Sequence, residues 1–136
     1  MKEGLSVREL ECDSDRRGLW LRLWEGEEGG WTAEARDLFP GEILCWINPA
    51  AEERVYCLRG MIKLVVCEKE GERKPIEIYL GEFRPREVRV ADNLLYGYKA
   101  VGHESALVVR MWRGKEGVFI PPEEASVPYN WEIVMR

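Results

Sequence analysis

Residues 54–68 read Arg54-Val55-Tyr56-Cys57-Leu58-Arg59-Gly60-Met61-Ile62-Lys63-Leu64-Val65-Val66-Cys67-Glu68. In this stretch two runs rich in β-branched, aromatic and other apolar residues flank the pair Arg59-Gly60. Such runs favour extended strands, and a glycine between them favours a turn, because glycine adopts backbone conformations that other residues avoid. The stretch therefore predicts two strands, Arg54 to Leu58 and Met61 to Glu68, joined by a turn.

The same pattern of short apolar runs, each closed by glycine, proline or charged residues, extends in both directions from this stretch. Leu19 to Trp24 alternates leucines with tryptophans and an arginine, which is the two-residue period of a strand. Only Pro121 to Ala125 favours a short helix, with proline at its start and acids in its first turn. Further candidate strands begin at Trp31 or span Ile43 to Ile47, Pro75 to Leu80, Glu87 to Val90 and Ala106 to Trp112. Many short strands with regular turns predict an all-β sandwich or barrel.

Length and composition favour one globular domain over residues 1–136. The chain has 136 residues, 46% hydrophobic and 33% charged, which suffices for one core. The net charge is −5 and the two signs are interleaved, which argues against nucleic acid as a partner. The longest apolar runs are too short to span a bilayer, and no signal segment follows Met1. We therefore expect a soluble, cytoplasmic protein with no membrane partner.

Neither the cysteines nor the histidine predict a metal site. The cysteines are Cys12, Cys45, Cys57 and Cys67. They are spaced too widely for a paired-thiolate zinc motif, and we interpret them as free thiols packed as small apolar side chains. His103 is the only histidine and lies in a turn between candidate strands. We interpret it as a solvated turn residue rather than a catalytic base.

The central segment resembles the first motif of the cupins, in which a glycine, two histidines, a glutamate and a second glycine follow at fixed spacing. The matching residues are Gly41, Glu53 and Gly60. Ile47 and Pro49 stand at the two histidine positions, and the second cupin motif is matched in outline by residues 91–96, with Tyr96 at its histidine position. The resemblance implies a cupin jelly-roll β-barrel in which Glu53 is the one metal-ligand position kept. A lone carboxylate makes a poor transition-metal site, so we expect no metal and no other cofactor.

Within the cupins, the chain resembles the dTDP-4-dehydrorhamnose 3,5-epimerases, metal-free proteins that invert stereocentres of a keto-sugar nucleotide. Four pieces carry the resemblance, in the same order along nearly the whole chain: Asp15-Arg16-Arg17-Gly18, Arg54 through Gly60, Leu95-Tyr96-Gly97-Tyr98, and Pro122 through Trp131. The resemblance implies a homodimer and a contact of Arg17 with a nucleotide diphosphate, for which a guanidinium is well suited. A surface ion pair of Arg17 with Asp13 or Asp15 is the alternative.

The catalytic positions of that family are not kept. The catalytic base of that family is a histidine in an Arg-Gly-Leu-His stretch, and the corresponding residues 42–46 contain neither arginine nor histidine. Its catalytic acid is a tyrosine on a late strand, and Arg110 stands at that position here. Enolate chemistry needs both groups. We therefore expect a diverged protein that binds an anionic sugar or nucleotide sugar without this chemistry. The alternatives are an isomerase that uses Tyr96, Tyr98 or Glu53 as acid or base, and a non-catalytic sensor or structural homodimer.

The candidate binding pocket is built around Arg110. Alternation places Arg110 and Trp112 on one face of their strand, and the resemblance places that face inside the barrel. A buried guanidinium requires a carboxylate or a bound anion, so we expect Glu53 to be its partner and Tyr96 and Tyr98 to form the pocket wall. Tryptophans on the strands are candidates for sugar stacking. The candidate ligand-binding residues are Arg17, Glu53, Tyr56, Tyr96, Tyr98, Arg110 and Trp112.

Overall fold

Two antiparallel β-sheets make up the computed structural model, which describes residues 3–26 and 29–132. Within these residues the chain forms eleven strands and one short helix. The strands are β1 (Cys12–Asp15), β2 (Gly18–Glu25), β3 (Trp31–Leu38), β4 (Ile43–Asn48), β5 (Glu52–Arg59), β6 (Met61–Glu68), β7 (Ile76–Gly81), β8 (Val88–Ala91), β9 (Leu94–Val101), β10 (Ala106–Arg113) and β11 (Val118–Phe119), and the helix α1 is Pro122–Ala125. The predicted all-β architecture with a short C-terminal helix is confirmed.

The order of the strands in the sheets differs from their order along the chain. The first sheet has the order β1-β2-β3-β10-β5-β8, and the second has the order β11-β4-β9-β6-β7. The chain therefore crosses between the sheets several times, as in a jelly roll. One result is that β10 lies between β3 and β5, in the interior of the first sheet, although both neighbours precede it by many residues.

The turn at Arg59-Gly60 passes the chain from one sheet to the other. The strands on either side are those that residues 54–68 predict, but β5 belongs to the first sheet and β6 to the second. Gly60 has a φ of 72°, and a Cβ at this position would lie 2.5 Å from the carbonyl oxygen of Ser105. A glycine is therefore needed here both for its backbone conformation and for its small size.

Three strands, β1, β9 and β11, are missing from the sequence prediction. The outer strands β1 and β11 are too short to show a pattern. The long strand β9 lies between β4 and β6 and is buried on both faces, so its apolar residues follow one another without alternation. Gly97 also interrupts it, and a Cβ there would lie 2.5 Å from the Cβ of Cys45. The close approach of β4 to β9 requires that glycine.

The main hydrophobic core lies between the two sheets. Its fully buried members include Leu38, Val55, Ile62, Leu64, Leu80, Val90, Tyr96 and Val108. A second, smaller cluster covers the outer face of the second sheet, where Ala125, Tyr129 and Trp131 of the C-terminal segment pack near Trp46 and Val65. The core thus holds the inner faces of both sheets in place, and the inner face of the first sheet carries the charged residues described below.

The outer face of the first sheet is more exposed to solvent than its inner face. Leu19, Trp24 and Leu58 on this face are 51%, 62% and 59% exposed.

In the part of the chain that the structure describes, no helix is long and apolar enough to cross a membrane.

Candidate functional site

A cleft of about 380 Å³ opens at the inner face of the first sheet, beside β4 and β11. Its walls combine charged side chains with apolar ones. The lining residues are Asp15, Arg17, Trp20, Arg22, Glu34, Arg36, Leu44, Ile47, Arg110, Glu116, Gly117 and Phe119. Four guanidinium groups and three carboxylates thus face one small volume, in a chain whose net charge is −5.

Strand register brings the charged residues of the cleft together. Arg22 of β2 pairs with Glu34 of β3, and Glu34 pairs with Arg110 of β10, so the three form one row across the sheet. In the neighbouring row, Trp20 pairs with Arg36. Because side chains in a strand alternate between the faces, all five point toward the same side. Directly opposed positions of this kind place side chains within reach of one another.

Arg110 is the centre of the charge network. Its Nη1 donates to Glu53 Oε1 at 3.2 Å, its Nη2 donates to Glu116 Oε2 at 2.7 Å, and its Nε lies 3.5 Å from Glu34 Oε1. The guanidinium carbon also lies 4.5 Å from the centre of the Trp112 ring. Burial acts to lower the pKa of Arg110, but the acidic groups around it, Tyr96, Glu53 and Glu34, outweigh burial and raise it. Arg110 therefore stays charged although it is only 9% exposed.

Below the floor of the cleft lies a buried pair, Tyr96 and Glu53. Tyr96 Oη donates to Glu53 Oε1 at 2.5 Å. The second carboxylate oxygen of Glu53 is buried with no hydrogen-bond partner among the described residues, and a Cβ at Gly117 would lie 2.4 Å from it. Gly117 therefore covers Glu53 from the side of the cleft. Glu53 is 1% exposed, so its charge acts on the cleft through Arg110 rather than by direct contact.

The two tyrosines are held in the protonated form. Burial raises the pKa of Tyr96 well above its ordinary value, partly offset by the charge of Arg110. Burial likewise raises the pKa of Tyr98 to about 12. Neither ring is among the residues that line the cleft, which differs from the expectation that they form its wall. They support the floor from inside the core.

The other arginines of the cleft are held by different sets of partners. Arg17 Nε donates to the carbonyl oxygen of Ile43 at 2.9 Å, and Arg36 Nη1 donates to Asp15 Oδ2 at 3.4 Å. Arg22 Nη2 lies 3.6 Å from a carboxylate oxygen of Glu34 and 3.6 Å from one of Glu116. In the described residues the buried Nε atoms of Arg22, Arg36 and Arg110 have no hydrogen-bond partner. The carboxylates of the cleft thus leave guanidinium donors unsatisfied, which is unfavourable in a buried position.

The remaining predicted site residues lie away from the lining of the cleft. Tyr56 lies on the outer face of the first sheet, where it donates a hydrogen bond to Glu87. Trp112 is buried and its ring centre lies within 5.4 Å of the guanidinium carbons of both Arg110 and Arg22, so it supports these groups and is not exposed for stacking on a ligand. His103 is exposed in the turn before β10. Of the seven predicted ligand-binding residues, Arg17 and Arg110 line the cleft.

Sequence reasoning missed four charged residues of the cleft, namely Arg22, Glu34, Arg36 and Glu116. For Arg22 a signal was available, since Leu19 to Trp24 places it on the same face as Trp20. Glu34 and Arg36 on β3 could be assigned to the cleft only from the register of β3 with β10, which the sequence does not give. Glu116 lies in a loop, where no periodicity applies.

The positions at which most cupins hold a metal do not suit one here. Ile47 and Pro49 supply no donor side chain, and Glu53 is already bound to Tyr96 and Arg110. Among residues 3–26 and 29–132 no three His, Cys, Asp or Glu side chains converge in a way that holds a metal ion. These residues do not fit a transition-metal site.

Comparison with protein-family models gives no match. Comparison with the sequences of curated proteins also gives none. Solved structures do match. The capsular polysaccharide assembling protein CapF from Staphylococcus aureus superposes with a TM-score of 0.70 at 14% identity, covering 84% of this chain and 33% of CapF. A dTDP sugar isomerase from Desulfovibrio desulfuricans G20 superposes with a TM-score of 0.63 at 19% identity, covering 95% of this chain and 91% of the isomerase.

A variant of oxalate decarboxylase from Bacillus subtilis superposes with a TM-score of 0.66 at 10% identity, covering 82% of this chain and 30% of that protein. The chain therefore spans about a third of the length of CapF and of oxalate decarboxylase. Identities this low establish the fold alone. The fold is the cupin jelly roll, of the kind found in the dTDP sugar isomerase and in CapF, as the sequence motifs predict.

Proposed function

We propose that the protein binds an anionic sugar or nucleotide sugar in the cleft, without the histidine and tyrosine chemistry of the 3,5-epimerases. The observation that carries the proposal is the convergence of Arg17, Arg22, Arg36 and Arg110 on one small cleft. The dTDP sugar isomerase, which matches over nearly the full length of both chains, supports a nucleotide-sugar ligand.

The chemistry of the cleft suits such a ligand. Guanidinium groups bind phosphate and carboxylate oxygens through paired N–H donors, and partial burial strengthens these contacts. The volume of about 380 Å³ falls in the range of small-molecule sites, roughly 300–1,000 Å³. Trp20 and Phe119 add aromatic walls against which a sugar or a base can pack. Charge and shape together favour a ligand that has an anionic group and an apolar face.

Proton abstraction from a bound sugar is not supported by the groups around the cleft. Tyr96 and Tyr98 are buried and protonated, and Glu53 is covered by Gly117. A general base must come within hydrogen-bond reach of the proton that it removes. The carboxylates that do line the cleft, such as Glu34, are engaged with arginines. We therefore propose binding rather than epimerisation, and expect no solvent deuterium to enter a dTDP-4-keto sugar in the presence of the protein.

The test is titration calorimetry with dTDP-glucose and UDP-glucose on the native protein and two variants. Arg17→Gln removes a guanidinium that lines the cleft, whereas Arg16→Gln removes its neighbour, which does not line it. We expect binding to the native protein and to Arg16→Gln, and at least tenfold weaker binding to Arg17→Gln, because charge-assisted hydrogen bonds contribute about 1.5–3 kcal/mol each. Equal affinity of the two variants, or no binding to the native protein, would overturn the proposal.

A further inference from the structure

Glu116 lies between two guanidinium groups at the open side of the cleft. Its Oε2 accepts a hydrogen bond from Arg110 Nη2 at 2.7 Å, and its Oε1 lies 3.6 Å from Arg22 Nη2. One carboxylate thus presents one oxygen to each guanidinium. This is the arrangement in which a bound carboxylate or phosphate group would bridge the same two arginines.

The same guanidinium groups have three further carboxylate partners. Glu25, 3.9 Å from Arg22 Nη1, is 63% exposed, whereas Glu53 and Glu34 are fixed. Glu53 on β5 is 1% exposed, and the side chain of Glu34 on β3 is 12% exposed. Both belong to strands inside the first sheet and cannot leave without exposing buried charge. Glu116 differs in both respects. Its side chain is 45% exposed, and it lies in the loop between β10 and β11.

The loop allows the Glu116 side chain to move while its base stays in place. Gly114, at its start, has a φ of 73°, a conformation that favours glycine. Gly117, at its end, packs so closely that a Cβ would lie 2.4 Å from Glu53 and 2.6 Å from the carbonyl oxygen of Asn48. The contact of Gly117 anchors the loop on the core. Rotation of the half-exposed Glu116 side chain into solvent is therefore enough to vacate the position between the two guanidinium groups.

We propose that Glu116 is a built-in competitor of the ligand. Its carboxylate occupies the subsite between Arg22 and Arg110 that receives an oxyanion of the ligand, a carboxylate or a phosphate group, and it turns out to solvent when that group binds. Two anions cannot share this position, because like charges a few ångströms apart repel strongly in a partly buried site. The inference rests on the proposed function, and it adds that the native protein binds its ligand more weakly than the cleft alone would allow.

The test compares Glu116→Gln with Glu104→Gln. The second change removes the same charge from an exposed turn outside the lining of the cleft. The probes for calorimetry at low salt are dTDP-glucose, inorganic pyrophosphate and glucuronate. We expect Glu116→Gln to bind at least one probe about threefold to fivefold more tightly than the native protein, because a partly exposed ion pair no longer has to be broken. We expect Glu104→Gln to match the native protein.

The outcomes separate this inference from the proposed function. Tightening for glucuronate alone identifies a carboxylate as the group received, and tightening for the phosphate probes identifies a phosphate. Binding to the native protein with equal or weaker affinity in Glu116→Gln would overturn the competitor role and leave the proposed function intact. If no probe binds the native protein or either variant, the proposed function is overturned, and the competitor role with it.

Discussion

The substitution Arg110→Met tests whether the floor of the cleft is held together by charge. Methionine keeps much of the length of the side chain but removes the guanidinium, which leaves Glu53 with Tyr96 as its remaining partner. Glu116 is half exposed and loses about 0–1 kcal/mol, and Glu34 keeps Arg22. Glu53 is 1% exposed, so it carries most of the loss, and breaking a buried pair costs about 3–5 kcal/mol. The total is about 4 kcal/mol, a large part of the stability of a typical domain.

Urea unfolding followed by tryptophan fluorescence measures this loss. We expect a lower midpoint with an unchanged slope, and a melting temperature lower by about 15 °C, since 1 kcal/mol corresponds to about 4 °C at this size. The double variant Arg110→Met/Glu53→Gln removes both charges and should recover most of the loss. The matched control is Arg59→Met, on the exposed side of the first sheet, where we expect a change below about 1 kcal/mol. A loss below about 1 kcal/mol in Arg110→Met, or no recovery in the double variant, would refute the reasoning.

Four further predictions follow from other parts of the molecule. Burial raises the pKa of Tyr98 from an ordinary value of 10.0 to about 12 in the folded protein, so the native state holds this proton more tightly than the unfolded state. The free energy of unfolding should therefore fall as the pH rises from about 10 toward 12. Tyrosinate absorbance and circular dichroism, recorded together, measure this change. Burial raises the pKa of the Cys57 thiol to about 11, so a thiol reagent at neutral pH should modify the exposed Cys12 rapidly and Cys57 only on unfolding. We propose a homodimer that covers Trp24 and Leu58 on the outer face of the first sheet; light scattering should give about twice the 15.8 kDa of one chain, and a mass of one chain would contradict it. Elemental analysis should find no stoichiometric transition metal, and one zinc or iron per chain would overturn the reading of the cupin motifs.

The sequence predicts the strands well where β-branched and apolar runs are bounded by a turn. Arg54 to Leu58 and Met61 to Glu68 agree with β5 and β6 within two residues at each end, because β-branched and apolar runs on either side of a glycine turn mark them locally. The long strand β9 escapes prediction because Gly97 interrupts it and it has few β-branched residues, whereas the equally buried β6 is marked by Ile62, Val65 and Val66. Strands that are marked by local sequence signals are therefore predicted, and strands that are defined by their neighbours in the sheet are not.

The candidate site divides in the same way. Alternation in β10 groups Arg110 with Trp112 on one face, the resemblance to the epimerases implies that this face points inward, and the structure places Arg110 3.2 Å from Glu53. The row of Arg22, Glu34 and Arg110 depends on the pairing of β3 with β10, which joins residues more than seventy positions apart. No local pattern encodes such a register. Of the charged partners of Arg110, Glu53 is therefore predicted from the sequence, whereas Glu34 and Glu116 are not.

The position of β10 also affects how the protein folds during its synthesis. A ribosome releases β2 and β3 long before β10, yet the first sheet needs β10 to link β3 with β5. Until then, the backbone N–H and C=O groups on the β10 side of β3 have no partner and are open to premature pairing with other nascent chains. Folding governed by such distant pairings takes milliseconds to seconds. Arg110 lies on the same late strand, so the row of Arg22, Glu34 and Arg110 forms only when β10 joins the sheet.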